Sequence, residues 1–493
     1  MWNYVSADKH KHKRGGTPYD NLSTHHLKFL LRGDRMLVLK ESPQTQIYET
    51  LLPSELCKLN DELSKVSFLL DNENFLDPFI AGFKTTIGRP TVPVQTYLRI
   101  MYLKYRHGLG YETLVEQIRD SIMWRIFCRI PFDKPIPHST TLIKLTKKYG
   151  PGVIENLNQV LVNEAREKKL VLGRKLRCDT TVVEANIHYP TDASLLSDCV
   201  RVITRTVKKI KEQGVAIEAE FHNRTRSVKK RIYAIAKVLK KRTNEARQDV
   251  KEITAGILST TREVVSQAEQ VLNEVRQHIS DQAGAATVKV GRAVQSLEST
   301  VETAQRIIAQ TVSVLEGNIH IKDRIVSVFD TDARPIMKGK LHAPTEFGMK
   351  LLVQDTENKI ITRYQVFEGN PCDDVLLVPA VDAHIDMFGR APKSVATDRG
   401  FASPKNEAAL RKKGVADISL PRRGKITDER RYYQAMPWFK KLQRWRAGEE
   451  AQISLLKRKY GLGRSLSRGA SGTRSWVGLG ILAHNLRQIA RLT

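Results

Sequence analysis

KLRCDTTVVEANI, residues 175–187, is the stretch from which the rest of the chain is read. Its valines and threonines are β-branched and sit better on a pleated strand than in a helix, so a strand is expected. Asp179 falls inside it between apolar and β-branched neighbours, where a carboxylate is costly unless it is paired or bound to a cation. Beyond the strand the character changes. Although the chain has 19 prolines, none occurs from Thr191 to Arg334. Within that stretch Val294, Leu297, Val301, Ala304, Ile308, Val312 and Leu315 recur by threes and fours, the spacing of a coiled-coil-like seam. Its charge is lopsided: residues 201–251 hold 16 basic and 5 acidic side chains, residues 252–320 hold 5 and 8. The simplest organisation is an antiparallel helical hairpin or small bundle, residues 193–329, inserted into another domain. Its basic arm either lies on a polyanion or pairs with the acidic arm.

Strand signals return after the insertion. GMKLLVQD and KIITRYQVF flank the turn TEN and predict a β-hairpin. A helix is expected from about Asp374 to Phe388. KSVATDRGF predicts a short strand ending in Asp398, ASPKNEAALRKKG a helix, and VADISLP another strand. Strands interleaved with helices in this order predict a mixed α/β sheet. Upstream, residues 1–90 read as an arm with short helices and residues 91–170 as helices in series. VPVQTYLRIMYLKYRHG ends at Gly108 and Gly110, and a later helix capped by Ser139 or Thr140 stops at Gly150. Such a series is either a small bundle, which could serve dimerisation, or a helix-turn-helix unit that touches DNA through Lys144, Lys147 or Lys148.

Composition narrows the partner. In 493 residues, 81 Lys and Arg against 53 Asp and Glu leave a net charge of +28, which implies nucleic acid first and an anionic membrane second. No apolar run reaches the ~20 residues that span a bilayer; WVGLGILAHNL is interrupted by His484 and Asn485 and followed by Arg487. The basic N-terminus has no apolar core behind it, so no signal peptide is expected. The five cysteines (Cys57, Cys128, Cys178, Cys199, Cys372) are scattered without a CxxC, which argues against a disulfide framework or cysteine zinc site and fits a reducing cytoplasm.

WRAGEEAQISLLKRK, residues 445–459, sets two glutamates in the most basic region: residues 421–474 carry 15 Lys and Arg against 4 acids. On a helix at ~100° per residue, Arg446, Glu450 and Lys457 share a ~40° sector, while Glu449 points elsewhere. Spacing alone is equally that of a surface ion pair worth a few tenths of a kcal/mol. Asp179 and Asp398, each at or within a strand, read singly as carboxylates satisfied by a neighbouring N–H. A third carboxylate from a helix would complete a set able to hold divalent cations. Glu184, Asp330, Asp332 and Asp355 read as turn or strand-end residues, His188 as structural, and Arg399 as either a DNA contact or a neutraliser of Asp398.

RCDTTVVEANIHYPTD, SVATDRGF and RWRAGEEAQISLLKRKYGL together resemble the DDE transposases of bacterial insertion sequences, in the broad IS4/IS5-like group, and GRPTVPVQTYLRIMYLKYRHGLGYETLVEQI with HSTTLIKL resembles their N-terminal domain. The third motif is the most specific: Arg446, three residues, Glu450, six residues, Lys457. The family's Tyr three residues before the Arg is Gln443 here, and Glu449 stands where relatives carry an apolar residue. The resemblance implies an RNase H-like catalytic domain, a mixed five-stranded sheet built from residues 171–192 and 330–493. It implies Asp179, Asp398 and Glu450 as catalytic ligands of two Mg²⁺ (or Mn²⁺) ions, one activating water or a DNA 3′-OH and the other stabilising the leaving oxygen. Arg446, Lys457, Arg444 and Lys459, with Lys144 and Lys147, are the expected DNA-binding side chains. The implied partners are double-stranded DNA, as terminal inverted repeats and target, and a second copy of the chain on paired ends, in a bacterial cytoplasm at the nucleoid. The rivals are a catalytically inactive DNA-binding descendant and an RNase H-like nuclease.

Overall fold

The computed structural model describes residues 35–40, 53–80, 89–215, 217–280, 285–337, 345–422 and 424–493. Of the expected arm, residues 1–90, residues 1–34, 41–52 and 81–88 lie outside them. The strand read first is observed as β1, Lys175–Ala185. It forms the middle of a seven-stranded sheet with β2 (Arg334–Met337), β3 (Thr345–Asp355), β4 (Ile361–Phe367), β5 (Ser394–Ala396), β6 (Asp417–Ser419) and β7 (Arg464–Ser465). β3 runs antiparallel to β1 on one side and β5 parallel to it on the other; β4 and β2 share the far edge of β3, and β6 lies parallel outside β5. The expected five strands are therefore seven. The additional β2 and β7 are too short to carry a periodic signal and form only because longer strands offer them an edge. The hairpin β3–β4 turns through Asn358 and Lys359, both at positive φ.

Helices cover both faces. Upstream of the sheet come α1 (Asp61–Leu70), α2 (Val94–His107), α3 (Tyr111–Asp120), α4 (Ile122–Phe127) and α5 (Ser139–Glu167). α2 ends at Gly108, φ 67°, as its glycine predicted. The N-cap of α5 is His138, whose ring accepts the Thr140 N–H, rather than Ser139 or Thr140. The stop expected at Gly150 is observed as a kink: Gly150 takes φ 72°, ψ 177°, and the helix restarts with Pro151 in its first turn. The chain ends in α14 (Gly469–Leu492), an almost wholly buried helix that packs against α5, α2, α1 and β4 and closes the core of the upstream helices.

Between β1 and β2 stand α6 (Asp192–Lys211), α7 (Thr225–Val238), α8 (Asn244–Ser280) and α9 (Ala285–Leu315). They form a four-helix bundle with a hydrophobic core of its own, in which Val294, Leu297, Val301 and Ala304 of the expected seam are buried and Ile308, Val312 and Leu315 pack at the margin. Arg224 of the basic arm faces Glu263 of the acidic arm at 3.9 Å.

After β4 come α10 (Leu377–Phe388), α11 (Pro404–Lys412), α12 (Asp428–Ala435) and α13 (Pro437–Lys459). Two imidazoles tie this half together. His384 on α10 donates from Nε2 to the Gly173 carbonyl (2.9 Å), and His484 on α14 donates to the Lys359 carbonyl (3.1 Å). Burial lowers both pKa values to about 4. The unfolded chain protonates its histidines near the ordinary value of 6.5, so between that value and about 4 it binds protons that the folded chain refuses. Stability is therefore full above that window and falls as pH drops through it, by up to roughly 3 kcal/mol per ring. Urea unfolding across the window should show this slope, and the double variant His384→Gln, His484→Gln should flatten it.

Candidate active site

β1 and β5 run parallel with Arg177 paired to Ala396. Two residues further along each strand stand Asp179 and Asp398, so the two aspartates occupy corresponding positions at the carboxyl side of neighbouring parallel strands. Asp398 lies two residues beyond the end of β5 rather than on its last residue. Its Oδ1 accepts the Gly400 N–H at 2.8 Å, which turns the chain back. A side chain at Gly400 would come 2.8 Å from Asp373 Oδ2 and 3.0 Å from Asp398 Oδ1; glycine is what allows this second acid, Asp373, to approach. Asp373 is held by Lys350 Nζ (2.7 Å) and by the Thr180 hydroxyl (2.9 Å).

α13 crosses the same end of the sheet. Its buried stripe is Phe439, Leu442, Glu449, Gln452 and Leu456. The stripe thus runs through Glu449, not Glu450, so Glu449, which points away from the Arg446 face, is turned into the core. Glu449 is completely buried, with Oε2 2.7 Å from Arg177 Nε. Arg177 also donates to Asp355 through Nε (2.5 Å) and Nη2 (2.7 Å), to the Trp445 carbonyl (2.5 Å) and to Gln452 Oε1 (3.3 Å). Burial pushes the Glu449 carboxyl well above the usual range; Asp355 adds to this and Arg177 opposes it. Asp355 is raised by burial too. One guanidinium thus holds two buried acids, and burial raises the pKa of both against its pull. Asp355 is at a strand end, as expected, but its work is to anchor β3 to Arg177.

Glu450 lies at the edge of the stripe, its side chain 65% exposed, with Oε1 2.8 Å from Arg446 Nη2. The other arm of that guanidinium stands 3.9 Å from Asp179 Oδ2. Arg446 therefore sits between two of the three candidate carboxylates. Asp398 is in the same neighbourhood: the Cys178 thiol is pushed up first by burial, then by the charges of Glu449, Asp179, Asp398 and Asp355. Among the described residues, no three of His, Cys, Asp and Glu converge closely enough to hold a metal ion. The donor chemistry nonetheless fits a hard divalent cation: the acids come from the interior of one strand, the segment just after another and a helix, and a cation, Arg446, already stands between two of them.

The expected DNA-binding residues are distributed rather than clustered. Arg444 and Lys459 are exposed and Lys457 half-buried on α13, while Lys144 and Lys147 are exposed on α5. Gln443, where the resembling family has Tyr, donates to the carbonyls of Thr397 (3.3 Å) and Ser419 (2.9 Å), so it fastens α13 to the ends of β5 and β6, next to Asp398. Of the other acids, Glu184 pairs with Arg464 and Asp332 caps α14 by accepting the Ala470 N–H. His188 is held by Asp198 at 2.8 Å, the structural role expected of it. Asp373 was not anticipated; its only signal is an acid pair in NPCDDV directly after the hairpin.

A mixed sheet with Asp179 inside its central strand and Asp398 just beyond the neighbouring one, packed against a strongly basic helix, defines an α/β protein. Comparison with known proteins makes this specific. Residues 53–148 match a family model described as a transposase domain (DUF772), and residues 320–486 match the transposase DDE domain. The chain belongs to the DDE transposases. Asp398 and Glu450 fall inside the second match; Asp179 lies outside both, across the helical insertion. The chain is also similar, at 28% identity over 169 residues, to an uncharacterized protein, ORF8 in the nfe locus of Rhizobium meliloti, covering 33% of this chain and 80% of that protein. No solved structure matches. No described helix is long and apolar enough to cross a membrane.

Proposed function

We propose that this transposase cleaves DNA at the ends of its element and joins the freed 3′ ends to target DNA, with Asp179, Asp398 and Glu450 as its catalytic carboxylates. The observation that carries the reading is the placement of Asp179 within β1 and of Asp398 just past the end of the neighbouring parallel β5, each two residues beyond the paired Arg177 and Ala396, with Arg446 joining Asp179 to Glu450. The strand order β4–β3–β1–β5–β6, with only β3 antiparallel to the central strand, supports an RNase H-like catalytic domain interrupted by the bundle.

The three carboxylates would hold Mg²⁺ or Mn²⁺, which when bound supplies Lewis-acid activation of the attacking oxygen and charge neutralisation at the leaving one. The chain's own residues do the rest. Arg446 turns from Glu450 to a DNA phosphate, for which a planar guanidinium is suited, and Lys457 grips the backbone about three turns along the same face. Gln443 holds the Thr397 carbonyl and with it the loop of Asp398. Arg177 fixes α13 against β1, so that Glu450 stays level with Asp179. Lys350 and Thr180 hold Asp373 at the margin of the site.

The test is incubation of the full chain with duplexes ending in the inverted repeats that flank its gene. Metal-dependent nicking at the repeat ends and joined products are expected, and Asp398→Asn should remove both. Cleavage without dependence on the repeats would instead indicate a general nuclease. Repeat binding without any cleavage would indicate a binding protein of transposase descent.

A further inference from the structure

Lys104 is 2% exposed in the last turn of α2, and no described acid pairs with it. Its ammonium lies over three aromatic rings: Trp476 (4.3 Å), Tyr105 (4.5 Å) and Tyr111 (4.7 Å). Two of these rings, Trp476 and Tyr111, line a cavity of about 580 Å³ between α2, α5 and the start of α14, and Lys104 lines it as well. The remaining charged side chains on its wall are Lys147 and Arg468; no carboxylate is among the lining residues. Ser467 and Ser471 add hydroxyls there. A buried ammonium ordinarily costs several kcal/mol and is kept with a counter-charge. Here burial alone lowers the Lys104 pKa to about 8, and cation–π contact is its only described compensation. Three cations, five hydroxyl-bearing residues and no acid around one concavity are complementary to a compact polyvalent anion.

We propose that this cavity binds a phosphate group, with Lys104 as the buried counter-charge at its base and Lys147 and Arg468 at its mouth. The group is either a backbone phosphate of DNA, which rests on the transposase reading, or a free small phosphate, which does not. In the first case the site anchors DNA to the upstream helices, away from α13, and gives Lys147 a defined role.

Two measurements on the full-length chain decide it. Inorganic pyrophosphate, titrated while Trp fluorescence is followed, reports on Trp476 through the part of the signal that Trp476→Phe removes from the five tryptophans. Binding of a random-sequence duplex, followed by anisotropy across a salt series, reports on DNA phosphates. Lys104→Met should abolish the pyrophosphate signal, and Lys147→Gln and Arg468→Gln should weaken it about tenfold. If the ligand is DNA, each of the two mouth variants also lowers the salt dependence of duplex binding by about one ion. These two decide the matter if Lys104→Met does not fold. A pyrophosphate signal lost in the variants with duplex binding untouched assigns a small phosphate and rejects DNA as the source. Duplex binding absent from the wild type, with the pyrophosphate signal intact, sinks the transposase reading and leaves the site standing. No pyrophosphate signal in the wild type, together with unchanged duplex binding in all variants, overturns the proposal.

Discussion

Asp179→Asn should reduce cleavage of element-end DNA by on the order of 10³-fold or more, about 4 kcal/mol of transition-state stabilisation, while leaving the melting temperature nearly unchanged. Asp179→Asn removes charge and keeps shape. Asn retains an oxygen to accept the Thr180 N–H that Asp179 now binds at 2.7 Å, so the strand keeps its local geometry. What it loses is the negative charge that Arg446 approaches and that a divalent cation requires. Glu450→Gln should behave alike, because its side chain is largely exposed and contributes little to packing. Glu449→Gln is the informative contrast. It replaces a buried acid whose pKa is raised with a neutral side chain of the same shape, and should leave cleavage within a few-fold of wild type. Equal losses from Glu449→Gln and Glu450→Gln would show that the wrong glutamate has been assigned to catalysis. Retained cleavage in Asp179→Asn would remove the catalytic proposal altogether.

Arg177→Ala is expected to be the most destabilising single exchange in the sheet, by about 3–5 kcal/mol. Arg177 is 2% exposed and is the partner of two acids that are themselves fully buried. Removing it leaves Asp355 and Glu449 facing one another without a cation, and frees the Trp445 carbonyl of α13. Chemical unfolding of the variant measures the loss. Adding Asp355→Asn and Glu449→Gln to Arg177→Ala should recover a large part of it, because amides need no counter-charge. A loss under 1 kcal/mol in the single variant would mean that water already solvates the cluster.

Much of this architecture was readable because it repeats locally. The β-branched run around Asp179, the proline-free helices with their apolar seam and the hairpin at TEN each carry their signal within a dozen residues. Asp179 and Asp398 were legible for the same reason, as acids placed where a strand should be apolar. The roles of the two glutamates were not. Helical angles grouped Arg446 with Glu450 correctly, but which side of α13 faces the sheet depends on Arg177, 268 residues before the Trp445 carbonyl it binds. The neighbour of Asp398 was hidden likewise: Asp373 meets Thr180 from 193 residues away, a contact no spacing rule registers. β2 and β7 escaped because RPIM and RS lack the apolar run that marks the equally short β5 and β6, and they pair only where a longer strand lends them an edge.

α14 carries a consequence for how the protein is made. The helices α1, α2 and α5 share one apolar core with it, and α14 begins about 300 residues after α5 ends. At ~5–20 residues per second, a ribosome needs roughly 15–60 s to cover that distance. Throughout this interval the early helices lack the surface that seals them. A nascent chain is therefore committed to waiting, incomplete and dependent on its own later segment, before the upstream unit can grip anything. The growing chain is tethered to its messenger throughout that wait, so synthesis rate sets when its upstream unit becomes competent.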